Sequence, residues 1–280
     1  MERERCAGTA APIWRHAVSP LLTPFVDCIW GMSSQQAVVL PCLLPGTGAE
    51  LFLQLGTPFL ACDGHGRPSP LPALTLLALR TQSLALAPAA DLDFIAVRFK
   101  AGMAARLLGL PVGELIDTPQ CLTSLGGLSA DKLLDQLHAC AGRQARIVLL
   151  EGLLLQCLQS SPHFDMDIAL GVQHLYYQAP GVEALARQLG MSGRQLARRF
   201  MAQEGISPVQ FRLLARFQRA ARLLCLEPAL PLVQVAAASG YADQAHLTRS
   251  FRALLASTPE RVRRQMRGRV TFYARPGRER

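Results

Sequence analysis

The spacing of apolar residues divides this 280-residue chain into two unlike parts. Over roughly the first hundred residues the apolar segments are short, as in Glu50–Leu55, Phe59–Cys62 and Phe94–Phe99, and Pro and Gly punctuate them. Leu92–Phe99 alternates and predicts a half-buried strand. This part reads as β-rich, with a helical segment expected at Lys100–Leu108. From about Ala130 the period becomes helical. Leu133, Leu134, Leu137 and Cys140 form one apolar stripe, and Ile147, Leu150, Leu154 and Leu158 form another. Ser160–Ser161–Pro162 breaks the second helix and marks the expected boundary. Beyond it, starting with a helix over Met166–Tyr177, the chain reads as short helices joined by tight turns.

Within that last part the sequence repeats itself. Val182–Pro208 (VEALARQLGMSGRQLARRFMAQEGISP) is echoed by Leu232–Pro259 (LVQVAAASGYADQAHLTRSFRALLASTP). Ala186-x-x-x-Gly190 matches Ala236-x-x-x-Gly240, and Leu196-x-Arg198-x-Phe200 matches Leu247-x-Arg249-x-Phe251. Each copy meets the requirements of a helix-turn-helix. Small Ala186 permits close helix approach, Gly190 permits the turn, and Ser192 can cap the second helix. In that helix Leu196 and Phe200 share one face, while Arg194 and Arg198 lie opposite, suited to guanine edges and phosphates. In the second copy Asp243 is the expected cap, and Gln244, His246, Thr248 and Arg249 form the outward set. A breaker-free stretch, Val209–Leu226, lies between the copies. As a helix it would be ~27 Å long, enough to hold two recognition helices about one DNA turn (~34 Å) apart.

Charge sharpens the picture. The chain carries 29 Lys/Arg against 20 Asp/Glu, a net charge of +9. Residues 1–160 hold 11 basic and 12 acidic side chains, whereas residues 161–280 hold 18 Arg, no Lys and 8 acidic ones. The whole excess therefore lies with the repeat, which points to a polyanionic partner there. The run Arg261, Arg263, Arg264, Arg267 and Arg269 adds to it. Half the residues are apolar, but no apolar run approaches the ~18 residues that span a bilayer. The start, Met-Glu-Arg-Glu-Arg, leads into no apolar segment and does not read as a signal peptide. The cysteines at 6, 28, 42, 62, 121, 140, 157 and 225 form no C-x-x-C pair, and neither they nor the histidines have metal-ligand spacing. No metal, cofactor or membrane partner is expected. The expected location is the cytoplasm, on the nucleoid when bound to DNA.

These residues resemble the AraC/XylS family of transcription regulators. The match covers about Asp165–Arg264 and includes Ala186, Gly190, Ser192, Leu196, Arg198, Phe200, Gly205, Ser207–Pro208, Arg219–Ala220, Ala236, Gly240–Tyr241, Leu247, Arg249, Phe251 and Pro259. It implies a seven-helix module with Ser192–Gln203 and Asp243–Leu254 as recognition helices, bound to double-stranded DNA. Carried over by position, Arg194 and Arg198, with Gln244, His246, Thr248 and Arg249, match base- or phosphate-contacting sites, and Ser192, Gln195 and Arg199 complete the expected DNA-binding set. Ala256 departs from the family, which usually has glycine there. Less specifically, 43–56 and 94–111 resemble the β-rich sensory domains of some members, which implies a cupin-like or related barrel binding a small effector. The expected fold is α+β.

The expected divisions are a β-rich sensory domain over 1–125, a helical linker and dimerisation segment over 126–161, the DNA-binding domain over 162–268 and a basic tail over 269–280. RNA polymerase, a small-molecule effector and a second copy of the chain are further candidate partners. The effector-binding residues are not legible. Two alternatives stand beside the sensory reading. The N-terminal part can instead be a protein-interaction or dimerisation platform. The other alternative is a cysteine-based alkyl acceptor at Cys42, but Leu43–Leu44 follow it where a basic pair would be needed to stabilise a thiolate. No catalytic residue is assigned.

Overall fold

The computed structural model describes residues 13–38, 40, 42–62, 67–87, 90–110, 112–160, 165–178 and 180–266. The Ser161–Pro162 boundary, Cys6, Arg267, Arg269 and the 269–280 tail lie outside them.

Two open antiparallel sheets organise the N-terminal part. Its strands, in chain order, are β1 (Trp14–His16), β2 (Val26–Ser34), β3 (Glu50–Gln54), β4 (Leu60–Cys62), β5 (Pro68–Pro70), β6 (Leu74–Leu77), β7 (Ala85–Leu86), β8 (Leu92–Phe99) and β9 (Gln120–Cys121). The larger sheet runs β1-β2-β8-β3-β6-β9, and the smaller runs β5-β4-β7. A further hairpin pairs β10 (Ser124–Leu125) with β11 (Leu128–Ser129). Helices α1 (Ala104–Leu108), α2 (Ala130–Ala139) and α3 (Arg143–Ser160) complete this part.

Strand β8 departs from the half-buried expectation. It sits between β2 and β3 and is buried on both faces, with only Asp93 and Arg98 partly accessible. Ile95 and Val97 join Ile29, Leu51, Leu53 and the helices in one core. Phe94 and Ala96 join Trp30, Phe52 and Phe59 in a second core beneath the small sheet. There the rings of Trp30 and Phe94, and of Phe59 and Phe94, meet edge to face at 5.3 and 5.0 Å, a favoured aromatic geometry. Successive side chains of a strand point to opposite faces, so a strand covered on both sides shows a near-continuous apolar run.

The same packing settles where the helical stripes point. Leu133 and Leu137 of α2, and Ile147, Leu150 and Leu154 of α3, are buried in the first core with the sheet. Their own chain covers them, whereas Leu134 and Leu158 of the same stripes stay partly accessible. A solitary amphipathic stripe does not say which apolar surface completes it.

The C-terminal part is helical: α4 (Met166–Tyr177), α5 (Val182–Gln188), α6 (Gly193–Glu204), α7 (Pro208–Leu226), α8 (Leu232–Ser239), α9 (Gln244–Leu255) and α10 (Pro259–Met266). It holds two cores that share α7. One gathers α4, α5, α6 and the first half of α7 around Phe200 and Phe211. The other gathers the second half of α7 with α8, α9 and α10 around Phe217 and Phe251. No described helix is long and apolar enough to cross a membrane.

The two parts are closely joined. Leu79 and Ala101 from the N-terminal part enter the first helical core, and Leu44 enters the second. The Gln218 side chain of α7 accepts hydrogen bonds from the Thr47 backbone N–H at 3.0 Å and its hydroxyl at 2.9 Å. A 3-10 turn at Val112–Glu114 lies against the end of α6, with Gly113 at Gly205.

Candidate nucleic-acid interface

Each helix-turn-helix unit is built by its caps. In the first, Gly190 turns the chain at φ +66°, and the Ser192 hydroxyl accepts from the Gln195 N–H at 3.2 Å. Gln195 returns the bond, its side-chain oxygen accepting from the Ser192 N–H at 2.9 Å. This reciprocal box satisfies donors that a helix start otherwise leaves open. In the second unit Gly240 turns at φ +82°, and the Asp243 carboxylate accepts from the His246 N–H at 2.6 Å. Ser192 and Gln195 therefore shape the start of α6, and Asp243 shapes the start of α9.

The amphipathic division within the two helices follows the pattern in the sequence. Leu196 and Phe200 of α6, and Leu247 and Phe251 of α9, are fully buried. Arg194 and Arg198 are exposed on α6, as are Gln244 and Arg249 on α9. Among the described residues none of these three arginines forms an ion pair. His246 is partly covered by the Tyr241 ring, edge to face at 5.2 Å. Thr248 turns its hydroxyl back to the Gln244 carbonyl at 2.9 Å.

Arg199 is placed differently from its neighbours. Its guanidinium donates to both oxygens of Asp165, at 2.7 and 2.6 Å, and to Asp167 at 3.1 Å. This fork holds α6 against the start of α4, and the Arg199 hydrogen bonds draw the Asp165 carboxyl below its ordinary value. Arg263, in the basic run, is also turned inward. It is buried and donates to the carbonyls of Pro228 at 3.1 Å and Leu230 at 2.8 Å. Sequence reasoning missed both partnerships, because they join residues more than thirty positions apart.

A model of a helix-turn-helix domain matches residues 185–265. The DNA-binding domain of AdpA, solved in complex with a target DNA, is 32% identical over 36% of this chain and 90% of its own, at a TM-score of 0.33. A regulator from Chromobacterium violaceum described as containing an AraC-type DNA-binding domain is 26% identical over 37% of this chain and 94% of its own, at 0.34. The chain belongs to the AraC family. ToxT from Vibrio cholerae aligns over 86% of this chain and 98% of its own at 12% identity and a TM-score of 0.48. No curated protein matches the chain.

The AraC-type module carries one departure with a measurable consequence. Ala256 caps α9 in the left-handed region at φ 49°, ψ 29°. A side chain there costs an L-residue ~1–2 kcal/mol, while glycine loses ~0.5–1 kcal/mol more backbone entropy on folding. Ala256→Gly is therefore expected to stabilise the chain by about 0.5–1 kcal/mol. Urea unfolding checks this, and an unchanged or lower midpoint contradicts it.

Between the sheet and the module lies a cavity of about 300 Å³. Arg15, Arg80, Arg98, Lys100 and Arg222 contribute cationic groups to its wall, Asp27 and Glu50 contribute carboxylates, and Tyr176 and Tyr177 contribute rings packed edge to face at 4.8 Å. Leu43, Leu44, Phe99, Val262 and Met266 make its apolar surface. Arg98 is already matched by Glu50 at 2.6 Å, and Arg80 donates to the Leu44 carbonyl at 3.3 Å. Cys42 also lines it, and desolvation pushes that thiol above its ordinary value. This is the reverse of what an activated thiolate needs.

Proposed function

We propose that this AraC-family DNA-binding regulator reads two successive major-groove segments of double-stranded DNA, one with α6 and one with α9. The observation that carries the reading is the pairing of two capped helices, each buried on one face and bearing exposed arginine on the other, across a single helix of 19 residues. At 1.5 Å per residue α7 is ~28 Å long, which suits recognition helices about one DNA turn apart. Arg194 and Arg198 are assigned to the first segment, with Gln244, His246, Thr248 and Arg249 at the second. Ser192 and Gln195 present the start of α6 to the backbone, and Arg199 braces α6 on α4.

Arg198→Ala tests the assignment. If Arg198 grips a base edge, its loss costs ~1–3 kcal/mol on the preferred duplex and less on random DNA. Circular dichroism should not change, since the side chain lies opposite Leu196 and Phe200. Equal loss on both DNAs would make it a phosphate contact instead.

In this reading residues 1–125 sense, residues 126–161 link the two parts and residues 162–268 bind DNA. The cavity between them supports an effector-responsive regulator. Its lining holds five basic side chains against the carboxylates of Asp27 and Glu50, an excess that suits a small organic acid, whose binding would shift DNA affinity by favouring one arrangement of the two parts. A thermal-shift screen of organic acids against amines of equal size checks this. Stabilisation by acids that is lost in Arg222→Ala supports it, and an equal response to amines opposes it.

A further inference from the structure

The two helical cores of the module meet at few points. Ala215 and the residues of α7 before it belong to the first core, and Phe217 and those after it to the second. Apart from α7 itself, Leu254 is, among the described residues, the one hydrophobic residue packed against both. The N-terminal part touches both cores, through Leu79 and Ala101 and through Leu44, but within the module a shared helix alone leaves each unit free to rock about it, so a direct tie is needed to set the angle between α6 and α9.

The arginines of α7 are placed to do so. Arg212 donates to the Pro180 carbonyl at 3.4 Å, and Arg216 to the Gly240 carbonyl at 3.3 Å. Among the described residues Arg219 alone of them reaches both units. Its Nη1 donates to the Tyr176 carbonyl in the last turn of α4, and its Nη2 to the Ser239 carbonyl at the end of α8, at 3.2 Å. The final carbonyls of a helix lack partners within it and carry the negative end of its dipole, so a guanidinium fork between two such ends satisfies both. The side chain is also fixed at its base, since Ala220 and Ala221 beside it are fully buried.

We propose that Arg219 is a positioning residue that ties the end of α4 to the end of α8 and so sets the spacing of DNA segments the module accepts. The proposal rests on the tandem reading given above. One added base pair moves the second segment by ~3.4 Å along the axis and by about a tenth of a turn around it. A rigid pair of units cannot follow that shift; an untied pair can.

The test uses the full chain and a duplex selected from a random pool by the wild-type protein. Affinity is measured for that duplex, for one with a base pair inserted between its two segments, and for one with the second segment scrambled. Wild type is expected to lose on the order of tenfold on insertion, comparable to a base mismatch. Arg219→Met, which keeps the apolar stem, should bind the original and the inserted duplex within about twofold of each other. On the scrambled duplex it should match wild type. Arg219→Lys should behave like Arg219→Met, because a single ammonium cannot bridge both carbonyls as a planar fork does. If thermal melting shows that the methionine variant does not fold, the lysine variant decides. A variant that keeps the wild-type penalty overturns the proposal and leaves the tandem reading intact. Restoration of the penalty by lysine shows that charge, and not the fork, matters, and also overturns it. A wild type indifferent to the insertion overturns the tandem reading itself.

Discussion

Gly205→Ala is expected to lower the stability of the chain by about 3 kcal/mol, from left-handed strain together with overpacking. Gly205 ends α6 in the left-handed region at φ 70°, where its N–H caps the Met201 carbonyl. A β-carbon built there would collide with the Gly113 carbonyl and would come within 2.7 Å of the Ile116 side chain. The obstacle is the backbone of the 3-10 turn, which cannot turn aside as a flexible side chain can. Relief therefore requires the turn to withdraw from α6, loosening the seam between the N-terminal and DNA-binding parts. Denaturant unfolding, with hydrogen exchange across 113–117, measures both effects. A loss below about 1 kcal/mol with unchanged exchange would mean that the seam is softer than its geometry implies.

The second large effect belongs to the neighbouring residue. Glu204 is buried at 7% exposure, and among the described residues its carboxylate accepts one hydrogen bond, from the Gln203 amide at 3.3 Å. Burial pushes its carboxyl up to about 7, against an ordinary value of 4.5. The folded chain thus holds this proton longer than the unfolded chain does. The stability it contributes is complete below the unfolded value and is lost as the pH rises through about 7. At 1.36 kcal/mol per pH unit, ionisation costs ~3 kcal/mol above pH 8. Glu204→Gln removes that cost. It should stabilise the chain by about 2–3 kcal/mol at pH 8 and by almost nothing at pH 4. Unfolding measured across this range checks the sign, and parallel pH profiles for the two proteins would contradict it.

The DNA-binding part was legible because its signals are local. Ser192 and Asp243 cap within three residues, and Leu196 with Phe200 declares the buried face within one turn. The N-terminal part was less so. Phe52 faces one core while Leu51 and Leu53 face the other, so strand β3 shows no alternation of apolar with polar residues. Strands β7, β9, β10 and β11 are two residues long, too short for any period. The stripes of α2 and α3 were visible, but the sheet that covers them was not. Arg199 illustrates the same limit within the site. Its position on α6 suggests DNA, yet Asp165 and Asp167, brought beside it by packing, claim its guanidinium. The Thr47–Gln218 latch and the cavity behind it join residues 171 positions apart, beyond the reach of any local pattern.

The most direct test of the account is a hydroxyl-radical footprint of the full chain on a duplex selected from random DNA, with guanine-methylation interference on the same duplex. The account predicts two protected segments on one face of the helix, centred about one turn (~10 base pairs) apart, each with major-groove guanine interference. Arg198→Ala should remove interference in one segment and Arg249→Ala in the other. A single protected segment, or loss of both when either arginine is replaced, would contradict tandem reading by α6 and α9.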